Sequence, residues 1–130
     1  MPITTHEQLR ALYAQPSERA LRKQLPALDA HCQAFIGLSP FVVLATSDAA
    51  GRLDATPRGG APGFVVVQDE QTLLLGDAPG NNRLDALHNL IENPQAGLLF
   101  MIPGVDETLR VNGRVLLSTE PADLAACSDA

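Results

Sequence analysis

The sequence predicts a mainly β chain with helices: six antiparallel strands closing into a small barrel, an N-terminal helical cap and one inserted helix. Three observations predict it. From Pro40 onward, short aliphatic runs alternate with turns rich in Gly, Asp and Pro. Strands joined by such short turns must run antiparallel. Between the fourth and fifth of these runs one stretch, Gly80 to Pro94, breaks the rhythm with helical spacing. Six antiparallel strands of mostly aliphatic residues remove their exposed edges most easily by closing on themselves. The chain reads as a single domain, with residues 1–39 as the cap, 40–120 as the barrel and 121–130 as the start of a C-terminal helix.

The cap is read from capping signals. Thr4-x-x-Glu7 and Thr5-x-x-Gln8 both offer a capping box, and Leu9, Leu12 and Tyr13 supply an apolar stripe. Pro16 and Pro26 fall where helices could begin. After Pro26, Leu28, Cys32, Phe35 and Ile36 recur at helical spacing until Gly37, which is expected to stop the helix.

The strands follow in order. Phe41 to Ser47 is a buried-type strand, Asp48-Ala49-Ala50-Gly51 a turn, and Arg52 to Arg58 its returning partner. Gly59 to Gly63 is an irregular loop. Phe64 to Val67 and Thr72 to Gly76 flank Gln68 to Gln71 as a second hairpin. The helix of Gly80 to Pro94 carries Leu84, Leu87 and Ile91 as its expected apolar stripe. Gly97 to Ile102 is the fifth strand, and Thr108 to Ser118 a long sixth. Pro121 to Ala126 begins another helix.

Composition excludes several functions. A hydrophobic content of 45% with mean hydropathy +0.04 fits a folded globular chain. No apolar run approaches the roughly 20 residues of a membrane span, and the N-terminus lacks the basic and apolar regions of a signal peptide. A cytoplasmic protein is the expectation. A net charge of −6 argues against a nucleic-acid surface. Beyond Arg52 the basic residues are Arg58, Arg83, Arg110 and Arg114, against eleven Asp and Glu. Any anionic ligand in this region would depend on very few arginines. Cys32 and Cys127 lie far apart, share no motif, and read as ordinary reduced cysteines.

The Gly80 to Pro94 segment is the most informative. It joins a polar turn carrying Arg83 to a helix that Pro94 ends. Free backbone N–H groups and a guanidinium at a helix start suit a phosphate. Other chemistries fail on spacing. Gly59-Gly60-Ala61-Pro62-Gly63 does not read G-x-G-x-x-G and opens no βαβ unit. No G-K-[ST] is present. His6, His31 and His88 share no metal-ligand spacing with Cys or carboxylates, so no metal is expected. His88 reads as a packed or surface histidine. No nucleophile–base arrangement can be argued, so no catalytic residue is assigned.

The element order, with Phe41-Val42-Val43-Leu44-Ala45-Thr46, Asp54-Ala55-Thr56-Pro57-Arg58-Gly59, Leu74-Leu75-Gly76-Asp77, Gly80-Asn81-Asn82-Arg83-Leu84, Asn93-Pro94 and Leu109-Arg110-Val111-Asn112-Gly113-Arg114, resembles the pyridoxamine 5′-phosphate oxidase-like family of FMN-binding split barrels. It looks closest to an uncharacterised branch of that family. The resemblance runs from about Pro40 to about Ser118.

The resemblance implies an FMN site at a homodimer interface. By position, Arg58 would contact the flavin or its phosphate, and Gly59 and Gly60 would let backbone approach the ring. Gly76 and Asp77 would pass along the ribityl chain, and Asn82 and Arg83 would hold the 5′-phosphate. Thr108 and Arg110, on the long strand, would approach the flavin of the partner subunit. Thr108 stands where relatives that oxidise pyridoxamine phosphate often carry a Gln. Family members usually continue through a further helix and strand beyond the position of Ala130, so a short protein or a fragment is expected. The implied function is an FMN-dependent oxidoreductase acting on a small-molecule redox substrate. The alternatives are a non-catalytic flavin-binding module, or a split barrel that binds haem, a deazaflavin or no cofactor.

Overall fold

The structure is a computed structural model that describes residues 2–12, 26–76 and 84–128. In chain order its elements are α1 (His6–Leu12), α2 (Ala30–Leu38), β1 (Phe41–Ser47), β2 (Leu53–Gly59), β3 (Val65–Asp69), β4 (Thr72–Leu75), α3 (Asp85–Glu92), β5 (Gln95–Met101), β6 (Thr108–Arg114) and α4 (Pro121–Ser128).

Of the two possible capping boxes, Thr5-x-x-Gln8 is the one that closes α1. Gln8 N donates to Thr5 Oγ1 and Thr5 N donates to Gln8 Oε1, both at 3.1 Å. The expected stripe does not pack: α1 buries no residue, and Leu9 and Leu12 are exposed. Tyr13 and the helix start expected at Pro16 lie outside the described residues.

The second cap helix starts at Ala30, not at Pro26. Asp29 supplies the N-cap, accepting from Cys32 N at 2.8 Å. That backbone hydrogen bond holds the Asp29 carboxyl below its usual range. The helix also passes Gly37, where no αL residue turns the chain, and ends at Leu38 with Ser39 as C-cap. Buried Ser39 Oγ lies 2.8 Å from Phe41 O and 2.7 Å from Met101 O, one hydroxyl proton serving two carbonyls. It fixes the entry to β1 against the end of β5.

The strands are antiparallel and divide between two sheets, β2-β1-β5-β6 and β3-β4. Among the described residues no ladder joins the two. The core lies where they and α2 meet: Phe35 and Ile36 from α2, Val42 from β1, Val65 from β3 and Phe100 from β5. Each is at most 6% exposed. Burying such side chains contributes roughly 1.5–3 kcal/mol apiece.

The sixth strand ends at Arg114, short of the expected Ser118. Its partner β5 begins at Gln95, and Gln95 opposite Arg114 is the last pair. Pro94 has no N–H to extend the ladder. Leu116 and Leu117 beyond it are exposed.

The helix between β4 and β5 is present, but it is rotated from the expected stripe. Ala86 and Leu90 are the buried residues and Leu87 of the expected stripe is half-buried, whereas Leu84 is 42% and Ile91 71% exposed. The reason is polar. Asn89 Nδ2 donates to Thr46 Oγ1 at 3.0 Å, and Asn93 Nδ2 to Ser47 Oγ at 2.8 Å. Those two bonds turn the Ala86–Leu90 side, with both asparagines, toward β1.

Candidate flavin site

The register of the four-stranded sheet sorts the predicted residues by face. Directly paired residues of antiparallel strands project to the same side. Arg58 stands opposite Val42, Val42 opposite Phe100, and Phe100 opposite Leu109. Arg58 therefore belongs to the core-facing row, on the edge strand β2, where it is half-buried. Thr56 and Asp54 follow it along the same face, also half-buried. Thr108 and Arg110 flank Leu109, so they project from the opposite face, where both are exposed. Within one chain, Arg58 cannot share a ligand pocket with Thr108 and Arg110.

Two of the predicted glycines have structural reasons in the chain itself. Gly60 N donates to Pro40 O at 3.1 Å, and a Cβ on Gly60 would lie 2.9 Å from Phe64 Cβ. No side chain fits there. Gly59 closes β2 opposite Phe41, and both glycines are exposed. Gly76 follows β4, and a Cβ added to it would come 3.3 Å from Cys127 Cβ on α4. Asp77, Asn82 and Arg83 lie outside the described residues.

What borders that turn is described. Leu84 is the N-cap of α3 with φ 57° and ψ 21°, a left-handed conformation for a residue with a full side chain. This costs about 1–2 kcal/mol. Leu84 makes no side-chain cap, though its carbonyl accepts from His88 N at 2.9 Å. Asp85 occupies the first turn and already complements the helix dipole.

The sequence reading missed the ties that hold this region. Asn89 and Asn93 are spaced i and i+4 and bond consecutive residues of β1. That spacing was a readable signal for one shared helix face. It also missed Asp48, which is 7% exposed. Its carboxylate accepts from Arg52 N and Ala50 N, each at 2.9 Å, and from Arg52 Nε at 2.7 Å. The Arg52 backbone bond, seconded by its guanidinium, holds Asp48 below the usual carboxylate range.

An open groove of about 450 Å³ runs between α2, β3 and α4, lined by Gln33, Gly37, Gly63, Val65 to Val67 and Ala126. None of the predicted flavin residues lines it. Both cysteines are free thiols, and burial pushes the Cys32 thiol up, which keeps it protonated and unreactive. No group of three or more metal-ligating side chains occurs among the described residues. No helix among them is long and apolar enough to cross a membrane.

Neither the curated proteins nor the solved structures compared with the chain include a match. The profile described as Pyridoxamine 5′-phosphate oxidase matches residues 28–130. That span takes in α2, every strand of both sheets and α3. Matched over most of its length, the chain belongs to the pyridoxamine 5′-phosphate oxidase family.

Proposed function

We propose that this protein is an FMN-binding flavoprotein, an oxidoreductase for a small-molecule redox substrate, working as a cytoplasmic homodimer of split barrels with the flavin at the interface. The family match over residues 28–130 carries the reading, since proteins of this family generally bind flavin. The chemistry of the residues fits FMN. Arg58 offers a half-buried cation, and beside it Gly59 and Gly60 leave backbone exposed to a planar ring. Asn82 and Arg83 follow in sequence just ahead of α3 and are assigned to the 5′-phosphate, with Gly76 and Asp77 along the ribityl chain. Bound FMN would supply the hydride chemistry, and the chain's own residues bind and orient it.

The opposed faces of Arg58 and Thr108–Arg110 support the dimer. Those residues can serve one flavin only if they come from two subunits. The outer face that carries Thr108 and Arg110 also exposes Ala45 on the central strand β1, with Ala55 and Leu53 beside it. Such apolar surface on a central strand suits a second copy.

The protein purified without added cofactor tests the reading. A flavin absorption spectrum, with release of FMN on denaturation, is expected. Reduction of that flavin by NAD(P)H and its reoxidation by an acceptor would mark an oxidoreductase. A colourless protein that takes up no flavin would overturn the proposal.

A further inference from the structure

We propose that two copies of this chain pack outer sheet face to outer sheet face with their two-fold axis along the strands, so that β6 of each copy lies against the β2 edge of the other. The inference rests on the homodimer reading above and adds the orientation of the second copy.

Charge on the outer face is one-sided. The register puts no charged residue on that face of β2, β1 or β5. Arg110 and Arg114 carry all of its charge, both on the edge strand β6 and both exposed. Sheets that pack aligned keep their strand directions within about 30°. A two-fold axis in the interface then runs either across the strands or along them. An axis across the strands lays β6 on β6 of the second copy. Four arginines would gather on one strip of the interface, with no carboxylate on the face to answer them. Such like-charge juxtaposition works against association. An axis along the strands exchanges the two edges of the sheet. Each arginine row then meets the uncharged outer row of β2, three strand spacings or about 14 Å from the other arginine row.

Two further observations favour the axis along the strands, because that axis keeps every residue at its own level. Ala55, Ala45, Gly97 and Asn112 form one row across the sheet. Leu53 and Arg114 each lie two residues beyond that row, toward the same end. Leu53 is 84% exposed in the single chain. Arg114 of the second copy comes to it, with an aliphatic stem to cover the leucine and a guanidinium that clears the sheet edge into water. The second observation concerns Arg58. It stands in a row with Val42, Phe100 and Leu109, and Thr108 and Arg110 flank Leu109. The same axis brings Thr108 and Arg110 of the second copy to the β2 edge at the level of Arg58. An axis across the strands leaves them a sheet's width away, where they could not share a ligand with Arg58.

A charge-reversal cycle on Leu53 and Arg114 tests the orientation. Both side chains are exposed in the single chain, so the variants are expected to fold. The wild type, Leu53→Arg, Arg114→Glu and the double variant Leu53→Arg/Arg114→Glu are compared by sedimentation equilibrium at low ionic strength, where charge effects are least screened. Leu53→Arg sets like charges together and should raise the dimer dissociation constant at least tenfold. The double variant should dimerise at least tenfold more tightly than independent effects of the two changes allow. Within one chain the two positions lie on opposite edges of the sheet, so coupling of this size reports a contact between copies. A Leu53→Arg dimer as tight as wild type, or a double variant that shows only independent effects, would overturn the orientation while leaving a dimeric wild type, and the homodimer reading, standing. A monomeric wild type would remove the homodimer reading and this inference with it.

Discussion

Asp48 organises the first hairpin. Its carboxylate gathers two backbone N–H groups and the Arg52 guanidinium, and Gly51 completes the turn at φ 86°. Because these partners favour the charged form, its folded pKa is depressed. The stability it contributes is present above the unfolded value of about 3.9 and is lost as pH falls through the folded value. Denaturation measured between pH 7 and pH 2 should show wild type losing more stability below about pH 4 than Asp48→Asn. Identical pH profiles would contradict this account of the turn. On the proposed reading Arg83 would hold the FMN phosphate. Arg83→Ala is expected to weaken FMN binding by about 1.5–3 kcal/mol, the size of a charge-assisted contact. Unchanged affinity in a folded Arg83→Ala variant would remove that residue from the phosphate site.

At the scale of elements, α3 separates what was legible in the sequence from what was not. Its existence followed from hydrophobic spacing; most strands followed from aliphatic runs bounded by Gly, Asp and Pro, and β2 from the turn that precedes it. Its rotation did not. Leu84, Leu87 and Ile91 make the more apolar stripe, yet of the three Leu87 alone is half-buried, and Ala86 and Leu90 are the buried pair. Two hydrogen bonds to β1 decided the orientation, and such bonds depend on which strand end lies nearby. The same limit applies to β6, whose length is set by the start of β5 and not by its own run of residues. Helix starts were equally contextual: Asp29, which the sequence reading did not single out, caps α2 in place of the expected start at Pro26. Of the site, Arg58 could be placed on its strand, while the separation of Arg58 from Thr108 and Arg110 required the register. Two truncations test the rotation. Leu90→Ala should destabilise by about 2–4 kcal/mol, and Ile91→Ala in the isolated chain by less than about 0.5 kcal/mol. Chemical denaturation of both variants measures this, and the reverse order would contradict the helix orientation.

Taken whole, the molecule presents an apolar outer sheet face. Ala55, Ala45 and Gly97 stand side by side across three strands, and Asn112 on the fourth has its Oδ1 3.0 Å from where a Gly97 Cβ would lie. This smooth row suits close approach of a second sheet. Ala45→Arg places a charge at its centre without touching the core row of Val42 and Leu44. Sedimentation velocity should find the wild type dimeric and Ala45→Arg monomeric, and on the proposed reading, in which each flavin would draw on both subunits, FMN affinity should fall at least tenfold. A variant that remains dimeric would contradict the use of this face.

The central claim is that the fold binds FMN through its phosphate, and equilibrium titration of the apo-protein tests it most directly. Flavin fluorescence or absorbance should report saturable binding of FMN at one flavin per chain, with riboflavin bound at least tenfold more weakly, a difference of about 1.4 kcal/mol. Failure of the folded apo-protein to bind FMN, or equal affinity for FMN and riboflavin, would contradict it.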